Sequence, residues 1–320
     1  MSRARDIASH GYTSTNANIL INPSFTVQQR GAVIDHAIAT YGPDRWKVRG
    51  LSDVGGTVAR SSTVLDATTG VNKMKVENTG ATSYSYTFQR VEAANLYGLY
   101  GSEITFSFGY SDSGSGDPVV NINSFDGSGV AKEIFGYAVP TDLGGGRWSC
   151  TFTLSTEDGT FPDLSDLALS LVIYPNEKNT APSEWYVWET KLEAGSEVTP
   201  FVARPYGEEL ALCKRYFWKM GDTGSSTNLM VGSQETTSSG SSTATLPVTM
   251  RAVPSITLGA GIRWYTPATG AVVVTSFINR SSADVGCVFP NGIGTSGVSG
   301  QAASLYDSNV DGYILWDAEL

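Results

Sequence analysis

Residues 199–219 read TPFVARPYGEELALCKRYFWK, and a segment shortly before them, Trp185–Gly195, reads WYVWETKLEAG. The earlier segment alternates apolar and polar residues, which is the pattern of a half-buried β-strand. Pro200 and Pro205 end that pattern, and Tyr206–Lys219 then changes to apolar positions at helical spacing. A β-domain therefore ends at this point, and a short helix leads into a second domain.

The composition of the whole chain favours β-structure on both sides of this boundary. The 320 residues suffice for two domains with separate cores. Glycine is abundant at 35 residues, and charged residues make up only 16% of the chain, below the ~25% of an average soluble protein. Few charges and many turn residues are typical of strands joined by tight turns. We therefore predict an all-β protein: a jelly-roll β-sandwich followed by a short helix and a second, smaller β-sandwich.

Apolar alternation defines the strands of this prediction. In Glu103–Gly109, EITFSFG, three apolar side chains share one face of a strand, and WSCTFTL at Trp148–Leu154 repeats the pattern. Gly221–Thr245 is rich in Ser, Thr and Gly, and predicts a loop or a weak polar hairpin. The predicted segments are an N-terminal tail (1–17), the jelly roll (18–201), the linker helix (202–219) and the C-terminal β-sandwich (220–320).

The charge and the cysteines narrow the range of partners. A formal net charge of −10 argues against nucleic acid and anionic membranes, which bind clustered Lys and Arg, and leaves a neutral glycan or a protein surface. Cys150, Cys213 and Cys287 are odd in number and far apart, which predicts three buried free thiols in a protein folded in a reducing cytoplasm. No apolar run reaches the ~18 residues of a membrane span. The N-terminus lacks the apolar stretch of a signal peptide.

Several motifs follow one another along the first two thirds of the chain: NILINPSFTVQQRG at Asn18–Gly31, YGPDRWKV at Tyr41–Val48, FQRVE at Phe88–Glu92, then KLEAG and TPFVARPYGEELALCKRYF. Together they resemble a segment of bacteriophage tail-fibre and receptor-binding proteins, over Asn18–Trp218. In such proteins this region is a jelly-roll sandwich similar to carbohydrate-binding modules. The resemblance implies a homotrimeric virion protein, a tail fibre or spike-type adhesin, that binds the host surface through a glycan and is not an enzyme.

Met1–Ala17 is polar and has no apolar core of its own. Two interpretations stay open for it, a disordered tail and a peptide that docks on other virion proteins. SRARDIA at Ser2–Ala8 is similar to the opening of phage fibre proteins, which favours docking through Arg3, Arg5 and Ile7 in a short helix. The N-terminus is shorter than the anchoring domain of large fibres, so attachment to the tail, the collar or the head stays open.

The sequence offers little for catalysis. Its two histidines, His10 and His36, lie in the tail and in a predicted loop, and no Gly-x-Ser-x-Gly motif accompanies them. With 31 acidic residues, a hydrolytic carboxylate pair is not excluded, so a depolymerase stays an alternative, as does a head or collar decoration protein without a receptor. We predict no cofactor. The resemblance to carbohydrate-binding modules implies at most a structural calcium ion near Asn22 and Glu189.

Exposed aromatic rings stack on sugars and so indicate binding sites. The tryptophans of alternating segments are predicted to lie in the core: Trp46, Trp148 and Trp188. Trp264 and Tyr265 differ, because they occur in GIRWYTPATG, where a turn at Pro and Gly would present both rings beside Arg263. We predict that these three residues contact the ligand; the alternative is a packed hairpin corner.

Overall fold

A computed structural model of the chain describes residues 17–320, except for 32, 37–39, 53–58, 79–82, 115, 157–159, 164–165, 177–182, 222–225, 292–296 and 309–310. The chain divides into two compact units, Met1–Leu210 with Leu320, and Ala211–Glu319. Both units are built almost entirely from antiparallel strands, which confirms the predicted all-β fold.

The described part of the first unit contains thirteen strands and one 3₁₀ helix, Ala93–Asn95. The strands are β1 (Val33–His36), β2 (Thr40–Tyr41), β3 (Trp46–Ser52), β4 (Ala59–Leu65), β5 (Asn72–Asn78), β6 (Ser83–Glu92), β7 (Glu103–Asp112), β8 (Pro118–Phe125), β9 (Ala131–Ala138), β10 (Thr141–Gly144), β11 (Arg147–Thr153), β12 (Leu167–Pro175) and β13 (Ser183–Ala194).

These strands form two sheets that share one core. Sheet A has the strand order β1-β4-β5-β13-β7-β11-β10, and sheet B has the order β2-β3-β6-β12-β8-β9. Successive strands pass repeatedly from one sheet to the other, which gives a jelly-roll-like sandwich. Phe106 and Phe108 of sheet A and Leu169 and Leu171 of sheet B are fully buried in a single hydrophobic cluster. The alternation that predicted these strands therefore reports the core face correctly.

Helix α1 (Tyr206–Lys214) leads into the second unit, whose described residues form ten strands in two sheets. The strands are β14 (Phe217–Gly221), β15 (Thr227–Gln234), β16 (Gly240–Thr245), β17 (Ser255–Leu258), β18 (Ile262–Thr266), β19 (Gly270–Val273), β20 (Ser276–Asn279), β21 (Val285–Asn291), β22 (Ala302–Asp307) and β23 (Tyr313–Asp317). Sheet C has the order β14-β23-β17, and sheet D has the order β19-β18-β22-β15-β16-β21-β20. Trp264 of sheet D and Trp316 of sheet C are both fully buried in the core of this unit.

The helix predicted to reach Lys219 ends at Lys214, because β14 begins at Phe217. Strand β14 pairs with β23, and the ring of Trp218 stacks on that of Trp316 with centroids 4.7 Å apart. This sheet pairing outweighs the helical spacing of the sequence. Within Gly221–Thr245, β15 and β16 pair as a polar hairpin, so the second of the two predicted alternatives is confirmed.

Apolar residues in Asn18–Ile21 also predict a strand, but this segment is irregular, because its backbone groups bind side chains instead of a full neighbouring strand. Arg204 donates from Nη1 to the carbonyl oxygen of Leu20 at 2.9 Å and from Nη2 to that of Asn18. Glu209, only 2% exposed, pairs with Arg204 at 3.0 Å and accepts the backbone N–H of Asn22. We call Arg204, Glu209 and the backbone of residues 18–22 the clamp. It explains physically why the NILIN and RPYGEE motifs occur in one chain.

A second buried network fixes the segment after β13 on the outer face of sheet A. Lys191 and Glu193 are 2% and 0% exposed, and Lys191 Nζ lies 2.9 Å from Glu193 Oε2. Glu193 accepts the backbone N–H of Thr199 at 3.0 Å, and Lys191 donates to the carbonyl oxygen of Pro200 at 3.2 Å. A buried ion pair is tolerated only when such hydrogen bonds complete it. The KLEAG and TPF motifs are therefore also parts of the scaffold.

All three cysteines are free thiols, as predicted, but only Cys150 and Cys213 are buried. The prediction is wrong for Cys287, which is half-buried because it lies on the outer side of β21, opposite Thr243. Burial raises the pKa of the Cys150 thiol to about 12. None of the helices in the described residues is long and apolar enough to cross a membrane.

Candidate functional site

Strand β12 carries an unusual outer face. Leu169, Leu171 and Ile173 point into the core, so the alternate residues Ser170 and Val172 point outward. Although it faces away from the core, Ser170 is only 8% exposed. A short outward side chain that is nonetheless buried indicates that taller neighbours rise on both sides of it.

A row of polar residues crosses sheet B at this position. Arg90 of β6 is opposite Ser170, Ser170 is opposite Asn123 of β8, and Asn123 is opposite Glu133 of β9. Neighbouring strands lie ~4.8 Å apart, so the four residues span about 14 Å. The row offers a guanidinium, a hydroxyl, an amide and a carboxylate within one line.

Hydrogen bonds order one end of this row. Asn123 Nδ2 donates to Asn121 Oδ1 at 2.5 Å, and Asn121 Nδ2 donates to Glu133 Oε2 at 2.6 Å. Asn121 is 6% exposed, Asn123 is half-buried and Glu133 is exposed. The buried amide therefore positions the two accessible groups, and the bond to the carboxylate is of the stronger, charge-assisted kind.

The other end of the row is a cation beside an aromatic ring. The Arg90 guanidinium carbon lies 5.6 Å from the centroid of the Phe88 ring, within the range of a cation–π contact. Among the residues that the structure describes, the buried Arg90 Nε has no hydrogen-bond partner. A buried donor without a partner costs free energy.

Two tyrosines flank the same face. Tyr174 continues the outward side of β12, and its ring lies 6.2 Å from that of Tyr137, edge to face. Tyr137 is 74% exposed. The short central residues thus lie between longer ones, and we call the seven residues of the face the trough: Phe88, Arg90, Asn121, Asn123, Glu133, Ser170 and Val172. The trough can donate and accept hydrogen bonds, and the exposed Tyr137 ring beside it offers an apolar surface, whereas the Phe88 ring is only 7% exposed.

The predicted ligand contact at Trp264 is wrong. Trp264 is fully buried, and its Nε1 donates to Gln234 Oε1 at 2.6 Å in the core of the second unit. The segment is strand β18 and not a turn, so Trp264 and Tyr265 point to opposite faces of sheet D. Tyr265 is 45% exposed, and Arg263 is half-buried with its guanidinium donating to the Ala260 carbonyl at 2.8 Å. The predicted pair of adjacent stacking rings therefore does not exist.

Arg3, Arg5 and Ile7, the predicted docking residues, lie outside the described residues. Asn22 and Glu189, predicted near calcium, do not fit a cation site. The fully buried Asn22 accepts the Val27 N–H on Oδ1 at 3.0 Å. The Glu189 carboxylate lies 3.7 Å from the Arg147 guanidinium.

Calcium takes about 6–8 oxygen ligands. In the described part of the chain, no three His, Cys, Asp or Glu side chains are grouped so that they could hold a metal. Calcium stays a prediction that these two residues do not support.

Of the tryptophans expected in the core, Trp46 and Trp148 are buried, as predicted. Trp188 is half-buried on the outer face of sheet A, so that prediction is wrong. Trough residues were missed because they come from four strands that are distant in sequence. The signal was present in VVNINSF at Val119–Phe125, where Asn alternates with apolar residues and so had to lie on the outer face.

The sequence matches no protein-family model and no curated protein. Solved structures resemble it. A CBM22-1 xylan-binding domain of Paenibacillus barcinonensis Xyn10C is 13% identical, with a TM-score of 0.34 over 58% of this chain and 99% of that domain. TmCBM61 in complex with β-1,4-galactotriose is 13% identical, with a TM-score of 0.31 over 56% of this chain and 99% of that one.

The enzymatically active domain of bacteriophage CBA120 tailspike protein 4 is 11% identical, with a TM-score of 0.34 over 55% of this chain. The alignment covers 21% of that tailspike chain. The structural neighbours are thus carbohydrate-binding modules and a phage tailspike domain, at identities that leave the function to be argued from the residues.

Proposed function

We propose that this protein binds a neutral glycan through the trough of sheet B and does not cleave it. The main support is the row of polar residues across sheet B, which lies beside aromatic rings: Arg90, Ser170, Asn123 and Glu133. A sugar presents hydroxyl groups that both donate and accept hydrogen bonds, and its C–H faces pack on rings. The row supplies both kinds of partner at fixed positions.

Charge and length indicate the kind of glycan. The row carries one positive group, Arg90, and one negative group, Glu133, so its formal charge is balanced and an uncharged ligand suits it. A length of about 14 Å exceeds a single ring and suits a short stretch of a polysaccharide. A rigid sheet holds the polar groups in place, which lowers the entropic cost of binding.

One carboxylate in the trough supports binding without hydrolysis. Glycosidases use two carboxyl groups about 5–10 Å apart on either side of the bond that breaks. Glu133 is the acid of the trough, and Glu92, the next outward position of β6 after Arg90, is only 1% exposed. Of the acids among the described residues of this face, a substrate in the trough would therefore reach Glu133 alone.

The sequence resemblance of Asn18–Trp218 to bacteriophage tail-fibre proteins supports a biological setting for this binding activity. In our proposal the chain is a virion protein of a bacteriophage, a tail-fibre or spike-type adhesin, that contacts the host surface glycan and attaches to other virion proteins through residues 1–17. It is made in the bacterial cytoplasm and assembles as a trimer. A depolymerase would release reducing sugar from host polysaccharide, and a decoration protein would leave adsorption unchanged when removed.

Two variants and a matched control test the trough. After a glycan array has identified a ligand, calorimetric titration should show that Arg90→Gln and Asn123→Ala each weaken binding about tenfold, since each removes a hydrogen bond worth roughly 1–2 kcal/mol. Arg60→Gln, on the exposed outer face of sheet A, should bind like the wild type. Unchanged affinity in both folded trough variants, or no glycan bound on the array, would overturn the proposal.

The virion role has a separate test. A phage that encodes residues 18–320 should make folded protein that is absent from purified particles, because the proposed docking peptide is missing. Quantitative mass spectrometry of the particles measures this directly. Incorporation at the wild-type level would show that residues 1–17 do not attach the protein.

A further inference from the structure

The outer face of sheet A, opposite the trough, contains a cavity of about 280 Å³. It is lined by Arg147, Glu189, Leu143 and Gly144 of β10, and the segment Val198–Phe201. This volume lies just below the ~300–1,000 Å³ of drug-sized sites. It therefore suits one small ring and not an oligomer.

The cavity wall is held in place by the buried network of Lys191 and Glu193. Both side chains bind Thr199, and Lys191 also binds the Pro200 carbonyl, so this stretch of the wall is fixed to β13. Thr105 Oγ1 donates to the Gly195 carbonyl at 2.7 Å and fixes the start of the same segment. A preformed wall is typical of small-molecule sites.

Trp188 precedes Glu189, one of the residues that line the cavity. Its indole lies flat against Gly109, where a β-carbon would come within 2.1 Å of the ring, so only glycine permits this position. The far edge of the indole reaches Gly146, the residue before Arg147. Lys73 Nζ lies 4.4 Å from the ring centroid and 2.8 Å from Asp66 Oδ2. The ring is therefore fixed between the sheet and a cation, on the same outer face of sheet A as the cavity.

The lining of the cavity combines apolar side chains with one positively and one negatively charged side chain. Leu143 and Val198 are 47% and 37% exposed, and with Phe201 they form the apolar side. Arg147 Nη1 donates to the Glu189 carbonyl at 3.0 Å and lies 3.7 Å from Glu189 Oε2. The two charges offset each other, while their remaining donors and acceptors suit hydroxyl and amide groups.

We infer that this cavity is a second carbohydrate site, independent of the trough, that takes a single neutral sugar ring carrying a methyl-bearing substituent. An acetamido group fits both halves of the lining, since its methyl packs on the apolar wall and its amide reaches Arg147 and Glu189. The trough then binds a stretch of a polysaccharide chain, and the cavity binds one substituted sugar unit.

Two sugars that differ only in this substituent test the inference. Titration of the whole protein with N-acetylglucosamine, followed by saturation-transfer NMR and tryptophan fluorescence, should give a dissociation constant of about 1–10 mM. Glucose should bind at least about tenfold more weakly, because it lacks the group that fills the apolar wall. Equal binding of the two sugars, or no saturable signal up to about 100 mM, would overturn it.

A side chain placed in the cavity mouth gives the second measurement. Leu143→Arg should weaken N-acetylglucosamine binding at least about tenfold by filling the space, and Val198→Arg should do the same if the first variant does not fold. The control is Val64→Arg, an exposed valine on β4 of the same sheet outside the lining. Leu143 and Val198 lie outside the trough, so a loss of binding in their variants assigns the site to the cavity. Full binding by a folded cavity-mouth variant contradicts the inference.

Discussion

In the second unit, two adjacent residues have different roles: Trp264 stabilises the core, and Tyr265 lies on the surface. The indole of Trp264 packs over Gly240, where a β-carbon would come within 2.3 Å of it. Its N–H is satisfied by Gln234. Tyr265, one residue later, lies on the outer face of sheet D. The alternation of a strand thus assigns the two rings opposite roles.

We therefore expect opposite results from the two alanine variants. Trp264→Ala should lower the free energy of unfolding by about 3–5 kcal/mol, the cost of a large buried cavity. Tyr265→Ala should lower it by less than about 1 kcal/mol, as at other surface positions. Urea unfolding of the two purified proteins measures both values. A stable Trp264→Ala protein would show that the indole is not a core residue.

Sequence alone did not distinguish these two rings, because Pro267 and Gly270 after them indicate a turn. The turn exists, but it begins after Thr266 and leaves both rings inside a strand. For Trp188 the failure had another cause. Alternation places Trp185 and Val187 in the core and Trp188 outside, and a ring of that size on an outer face is recognised only when Gly109 is known to lie beneath it.

At the scale of elements, the clamp connects helix α1 to the start of the jelly roll. Glu208 and Glu209 are adjacent in the first turn of α1, yet Glu208 is exposed and Glu209 is 2% exposed. Only Glu209 contacts Arg204 and the Asn22 N–H. The two glutamates are therefore a matched pair for measuring what the clamp contributes.

Glu209→Ala should destabilise the first unit by about 3 kcal/mol, because it leaves the Arg204 guanidinium, 20% exposed, without its buried partner. Glu208→Ala should cost about 0.5 kcal/mol, the loss of a surface charge near a helix N-terminus. Thermal unfolding followed by near-ultraviolet circular dichroism reports both. Equal effects of the two substitutions would contradict a structural role for the clamp.

Strand prediction succeeded where one face is buried and the other is polar, as in β7 and β11. For Gly221–Thr245 it left a loop and a weak polar hairpin as alternatives, since the Ser, Thr and Gly residues of β15 and β16 carry little hydrophobic signal and the strands form through pairing with β22 and β21. The trough residues were not predicted from the sequence, for the same physical reason. Its residues become neighbours only through the register of β6, β12, β8 and β9, which no local pattern contains.

For the whole molecule, the outer face of sheet D is the surface that we expect the protomers of the predicted trimer to bury. Exposed apolar side chains lie on its strands: Val231 (70%), Ile278 (49%), Val273 (45%), Tyr265 (45%) and Val285 (41%). Adjacent strands carry several of them, which is more apolar surface than scattered single residues provide. Packing of this face between protomers would remove it from water.

Light scattering at micromolar concentration should give three times the chain mass of 34.0 kDa. Val231→Lys should shift the protein toward the monomer, because three lysines would be buried in the contact. Val253→Lys, at a valine that is 63% exposed in the loop before β17, should keep the wild-type mass. A wild-type monomer under these conditions would show the prediction of a trimer to be wrong.

The clamp also has a mechanical consequence. It joins residues 18–22 to Arg204 and Glu209, and Ile19 donates its N–H to the Leu192 carbonyl at 2.9 Å, so the entry and exit of the jelly roll are bonded together. A pull applied to the chain before Asn18 and after Glu209 loads these few bonds in shear and bypasses both sheets. The sandwich then lies outside the path of the force, and its trough keeps its shape while the chain is stretched.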